Sequence, residues 1–133
     1  MNLSHRIQKP AEFVYGYLTD MDKFVSVHPV IHKMDERGNG NYLVYETLKL
    51  GFIPFSFTYP ATIQHNSAEG KVVMRATVFR LTKIEMRFFL KTENNFTIVE
   101  EEIEFKSPLP IKSLMQSIFR KQHAQLFRNI ELK

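Results

Sequence analysis

From about residue 42 to residue 106 the chain repeatedly alternates apolar and polar residues, which is the period of a half-buried strand. The clearest run is 55 to 64, with Phe55, Phe57, Tyr59, Ala61 and Ile63 on one side and Ser56, Thr58, Thr62 and Gln64 on the other. Pro60 within it predicts an edge position or a bulge. Further strands are predicted at 2–8, 30–35, 42–50, 71–79, 82–91 and 96–106. Short turn signals separate the later strands, at Arg37–Asn41, Gly51–Pro54, Asn66–Gly70 and Glu93–Asn95. Such short connections favour antiparallel neighbours. At 110–130 the period changes. Ile111, Leu114, Met115, Ile118, Phe119, Leu126 and Ile130 recur at helical spacing with no Gly or Pro after Pro110. About 21 residues at 1.5 Å each make a rod of roughly 30 Å, enough to cross a small domain.

Between the first two strands lie two short helices. Pro10 suits a first helical turn, and Glu12 complements its dipole. Phe13, Val14, Tyr17 and Leu18 share a face. Asp22 is a candidate cap for a second helix carrying Phe24, Val25 and Val27. His28-Pro29 ends it, because the residue before proline avoids helical angles. The expected fold is α+β: a curved antiparallel sheet of about seven strands around a long C-terminal helix, as one domain over 1–133.

Three stretches add a resemblance to this order. Lys9-Pro10-Ala11-Glu12-Phe13-Val14-Tyr15-Gly16-Tyr17-Leu18-Thr19-Asp20, His28-Pro29-Val30-Ile31, and Asn95 to Phe105 with Thr97, Val99, Ile103 and Phe105 resemble the START/polyketide-cyclase (SRPBCC) superfamily. Its members share the helix-grip fold of the birch-pollen allergen. The resemblance implies a cavity between the sheet and the last helix. Members of that superfamily carry or sense lipids, sterols, hormones and polyketides; some are cyclases or dehydratases, and others are chaperone-associated interaction domains. It supplies no catalytic motif to carry over, and fold does not fix function.

Composition narrows the chemistry. Twelve Phe and five Tyr suit a dense core or an apolar pocket alike, and the absence of Cys removes disulfides and thiolate chemistry. The +4 formal charge is scattered, without the dense stripe that nucleic acid requires. Arg120, Lys121, Arg128 and Lys133 give the last helix a mildly basic outer side, compatible with transient contact with an anionic membrane surface. No apolar run reaches membrane-spanning length. Arg6 and Lys9 are not followed by a signal-peptide core, so a cytoplasmic location is expected. His28 and His32 are separated by Pro29 and set up no metal site; no metal or cofactor is expected. His65 and His123 have no evident partner in sequence.

Several polar residues share apolar faces. Strand periodicity puts His5 with Leu3 and Ile7, Glu46 with Tyr42, Val44, Leu48 and Leu50, and Glu101 with Val99 and Ile103. Gln122 projects about 20° from Ile111 around the helix. These four are expected to form the polar end of one apolar pocket. Its walls are expected from Phe57, Tyr59, Met86, Phe88, Val99, Ile118 and Phe119. The leading function is binding, transport or sensing of a small hydrophobic or amphipathic molecule, without catalysis. A cyclase or dehydratase using the same carboxylates, and an interaction module with a filled core, are the alternatives. Phe52 and Ile53 in the Gly51–Pro54 turn are candidates for a lid or a membrane-touching tip.

Overall fold

The computed structural model describes residues 1–133, the side chain of Leu50 excepted. The elements run β1 (Asn2–Ile7), α1 (Ala11–Thr19), α2 (Met21–Val27), β2 (Ile31–Gly38), β3 (Asn41–Leu50), β4 (Ile53–Asn66), β5 (Lys71–Val78), β6 (Thr82–Glu93), β7 (Phe96–Lys106) and α3 (Lys112–Glu131). One seven-stranded antiparallel sheet has the order β1-β7-β6-β5-β4-β3-β2. This is the expected helix-grip arrangement, with two short helices after β1 and a long helix at the end.

Local chemistry accounts for the boundaries. Asp20, not Asp22, caps α2; its carboxylate accepts from the backbone N–H groups of Asp22 and Lys23. The cap lies two residues earlier because α1 and α2 meet at this single residue. Asn39 and Gly40, at φ +53° and +76°, make the two-residue turn between β2 and β3, the asparagine–glycine pair that left-handed hairpin turns favour. A Cβ on Gly40 would lie 2.7 Å from the Ile63 carbonyl oxygen, so the position is closed to other residues.

Pro60 brings no bulge. β4 keeps continuous register with β3 from Asn41↔Thr62 to Leu50↔Ile53, while its pairing with β5 covers only Ala61 to Asn66. Pro60 therefore stands where β4 leaves β5, and its missing N–H costs no ladder bond on that side. The register shifts fall in β2 instead, between Ile31 and Lys33 and between Glu36 and Gly38.

The core lies between the concave sheet, α1, α2 and one half of α3. Val14, Leu18, Val44, Val72, Phe88, Val99, Leu126 and Ile130 are fully enclosed there. Burial divides α3. His123, Leu126, Phe127 and Ile130 are buried, whereas Ile111, Met115, Ile118 and Phe119 are only half-buried. Polar tethers follow the same division. Asn129 donates to the Val27 carbonyl at 2.8 Å, and Glu131 accepts from the Gln8 N–H at 2.8 Å. Among the described residues, none from Lys112 to Gln122 has a side-chain hydrogen bond to the sheet. The first half of α3 is a roof held by apolar contact alone.

Candidate functional site

Under that roof lie two adjoining cavities. The outer one, about 150 Å³, is bordered by Glu46, Leu48, Phe57, Tyr59, Phe79, Ile111, Met115, Ile118, Phe119 and Gln122, among others. The inner one, about 50 Å³, is bordered by His28, Met86, Phe88, Phe119, Gln122 and His123. Glu46, Tyr59, Ile84, Phe119 and Gln122 border both. Even together the two fall short of the roughly 300 Å³ of an ordinary small-molecule pocket. A thin chain or a single small ring fits the space; a multi-ring molecule requires the roof to move.

Polar groups are few and fall into two sets. At the junction of the cavities, Tyr59 Oη donates to Glu46 Oε1 at 2.7 Å. Burial pushes the Glu46 carboxyl above its ordinary pKa, against the opposing pull of the Tyr59 hydrogen bond and of His123. Burial and the neighbouring Glu46 likewise raise Tyr59 well above the usual phenol range. Among the described residues the Gln122 amide has no hydrogen-bond partner. Among the described residues no buried side-chain nitrogen or oxygen lacks a partner, so this amide meets open space. No Lys or Arg borders the outer cavity.

The second set centres on Glu101, which borders neither cavity. Glu101, 1% exposed, takes His5 Nε2 at 3.2 Å on Oε1 and a short hydrogen bond from His123 Nδ1 on Oε2. Burial pushes the Glu101 carboxyl up, but the two imidazoles outweigh it and its pKa is lowered. His5 stacks on Phe127 with ring centroids 4.3 Å apart. The imidazoles approach opposite oxygens of Glu101, and among the described residues no three His, Asp or Glu side chains converge on one point as a metal requires. Among the described residues His123 Nε2 has no partner, and His123 borders the inner cavity. That nitrogen is therefore presented to the cavity.

Of the residues expected to line one pocket, Glu46, Phe57, Tyr59, Ile118, Phe119 and Gln122 border the outer cavity, and Met86 and Phe88 the inner one. His5, Val99 and Glu101 border neither. They face inward as their periodicity requires, but Leu126 and Phe127 of α3 settle onto that part of the sheet and fill it. Leu50, expected on the Glu46 face, has a side chain that lies outside what the structure describes. His65 accepts or donates at 2.6 Å with Tyr15 Oη. The residue missed was His123. Its signal was present: 123, 126, 127 and 130 follow helical spacing and put it on the face of Leu126, Phe127 and Ile130.

Two predictions arise from these charges. His28 Nδ1 lies within reach of the Val30 and Ile31 N–H groups, at 3.2 and 3.0 Å. It accepts from them only when unprotonated. Burial, with the charge of His123 behind it, lowers the His28 pKa from 6.5 to about 3. A folded pKa below the unfolded one gives stability that is present above pH 6.5 and is lost as pH falls from 6.5 toward 3. Glu101, also lowered, adds to the loss at the acid end. Urea midpoints across that range are expected to fall steadily; a flat profile would contradict this. Glu46 has the opposite sign. Its raised pKa favours the fold below the ordinary carboxylate value, and that contribution is lost as pH rises through the folded pKa. Glu46→Gln is expected to gain stability over the wild type as pH rises to neutral and to lose the advantage in acid. A variant less stable than wild type at neutral pH would refute this.

No protein family's sequence profile matches the chain, and no curated protein matches it. Solved structures do. A START superfamily protein from Mycobacterium smegmatis has 16% identity and a TM-score of 0.74, covering 98% of this chain and 93% of its own. Ara h 8.0201 gives the same identity, TM-score and coverage. The di-domain ARO/CYC BexL superposes with a TM-score of 0.81 at 14% identity; 99% of this chain is covered, and it spans 46% of that two-domain protein. At such identities the likeness concerns the fold, and the chain has the helix-grip fold that these START, Ara h 8 and ARO/CYC proteins share.

Proposed function

We propose that this protein binds a small, uncharged, largely apolar molecule between the sheet and the first half of α3. The observation that carries this reading is the outer cavity. Its walls are apolar, and its few polar groups, chiefly Glu46, Tyr59 and Gln122, gather at its inner end. Apolar walls with a few placed polar groups are the usual design of a ligand site. With a carboxyl at that end and no cation in the lining, an anionic head group is disfavoured there. An alcohol or carbonyl suits the free Gln122 amide and the Glu46 carboxyl. The volume favours a single chain over fused rings. Native mass spectra of freshly purified protein, followed by solvent extraction, test this. A released neutral single-chain compound is expected. A released anion or polycyclic compound would contradict it.

His123 supports a second reading, acid–base chemistry on the bound molecule. Glu101 holds Nδ1 and so fixes the ring, leaving Nε2 to take or give a proton. The aromatase/cyclase neighbours, such as Zhui from Streptomyces sp. R1128 at 11% identity and a TM-score of 0.67, are compatible with it. Under this reading His123→Phe removes turnover of a carbonyl substrate with an acidic C–H while retaining its binding. Equal turnover in the variant would exclude His123 as the base.

A further inference from the structure

An antiparallel meander sends its turns alternately to opposite ends of the sheet. At one end of this sheet lie Asn39-Gly40, Ser67–Gly70 and Asn94-Asn95, all polar or small. At the other lie Gly51-Phe52, Phe79-Arg80-Leu81 and the Ser107–Ile111 link into α3. Apolar exposure is confined almost wholly to this second end. Phe52 is fully exposed, Ile53 is 71% exposed, and Phe55, Phe79, Leu81, Leu109 and Leu114 are all exposed. Among the described residues, the one other large apolar side chain so exposed is Leu132. The rings form a continuous surface, with Phe79 5.9 Å from Phe55 and 5.1 Å from Phe57. Phe57, Phe79 and Ile111 also border the outer cavity.

Two local features run against ordinary rules here. Phe79 and Arg80 both have left-handed backbones, at φ +53° and +62°, which residues with a Cβ rarely adopt. The first turn of α3 carries Lys112 and no acid, with no side-chain cap, although a helix N-terminus disfavours positive charge. Both choices place a cation or a bare ring at this end.

Charge is segregated as well. Residues 47–68, 70–84 and 105–130 contain no Asp or Glu. Of their Lys and Arg residues, Lys49, Arg80, Lys83, Lys106 and Lys112 lie toward this end. The nearest acids, Glu85 and Glu104, stand two residues in from Lys83 and Lys106 and, with Glu102, are bound to Arg75 and Arg87 on the outer face of the sheet.

We infer that this end of the molecule docks on the surface of a lipid bilayer containing anionic lipid, with Phe52 and Ile53 entering the acyl boundary and Lys49, Arg80 and Lys112 against the head groups. A second copy of the chain is a poorer occupant, because a two-fold contact would press two cationic rims together. Docking of this kind sets Phe79 and Ile111 of the outer cavity's border toward the bilayer, and it does not depend on what the cavity holds.

Flotation with vesicles tests the inference. The protein is expected to float with phosphatidylcholine vesicles that contain phosphatidylglycerol, and less so as salt rises. Phe52→Ser and Ile53→Ser should each lower partitioning roughly tenfold or more. Lys49→Glu, Arg80→Glu and Lys112→Glu should each lower it about fivefold or more and remove the preference for anionic lipid. All five positions are exposed, so melting temperatures should not fall, with Lys112→Glu rising slightly at the helix N-terminus, and they report that the variants fold. Absence of vesicle binding overturns the inference, as does equal binding to neutral vesicles or undiminished binding by the variants. A concentration-dependent dimer lost in Phe52→Ser, without vesicle binding, would assign the surface to a second copy.

Discussion

Glu101→Ala unfolds at much lower urea than the wild type, with a loss of about 3–5 kcal/mol. The reason is the arrangement rather than the charge alone. The carboxylate is 1% exposed and joins β7 to β1 through His5 and to α3 through His123. Deleting it leaves two imidazole N–H groups facing an apolar interior without an acceptor. It also removes what is, among the described residues, the one side-chain hydrogen bond from α3 to the sheet. Glu101→Gln keeps an acceptor oxygen and loses less, on the order of 1–3 kcal/mol. Replacing Glu101 and His123 together by Leu costs less than Glu101→Ala alone, because only the His5 ring then lacks its partner and apolar volume fills the gap. A loss below about 1 kcal/mol for Glu101→Ala, against the range expected for a buried pair, would show that the cluster does not hold α3 in place.

Ile118→Trp nearly abolishes uptake of an apolar ligand. Ile118 borders the outer cavity from the half of α3 that has no polar tether. An indole there adds a second ring to the wall and intrudes on a cavity of only about 150 Å³. The stability cost stays within the usual 1–3 kcal/mol of overpacking, roughly, and falls toward the low end because Ile118 is only half-buried. Affinity for a small apolar probe should therefore drop by more than tenfold while the protein stays folded. Binding undiminished by Ile118→Trp would place the ligand elsewhere. Gln122→Leu separates polar recognition from volume: it leaves hydrocarbon binding intact and weakens binding of the matching alcohol, by about 1 kcal/mol for one hydrogen bond.

Much of the fold was legible because strand parity and helix period report which face a residue takes. Thr97, Val99, Glu101 and Ile103 alternate inward along β7 as their spacing requires. Period does not report depth along an element. Glu46 and Glu101 both face inward, yet one meets a cavity and the other a packed core. That difference comes from how α3 crosses the sheet, pressing down over β1 with Leu126 and Phe127 and standing away over β4 with Ile118. No local pattern encodes that tilt. His123 was overlooked because its partner lies 22 residues away on another element; its place on the buried face of α3 was legible, but the pairing was not. Pro60 shows the converse. Its chemistry signalled that β4 lacks a neighbour on one side, and the register bears this out, while the bulges went to β2 without a proline to mark them.

The measurement that bears most directly on the cavity as a binding site is calorimetric titration of solvent-extracted protein with n-alkanols and with carboxylates of matched chain length. Saturable binding of an alkanol, weaker binding of the matching carboxylate, and loss of both in Ile118→Trp are expected if the Glu46–Gln122 end receives a neutral polar group. No binding at any chain length, or a carboxylate bound more tightly than its alcohol, would contradict that account.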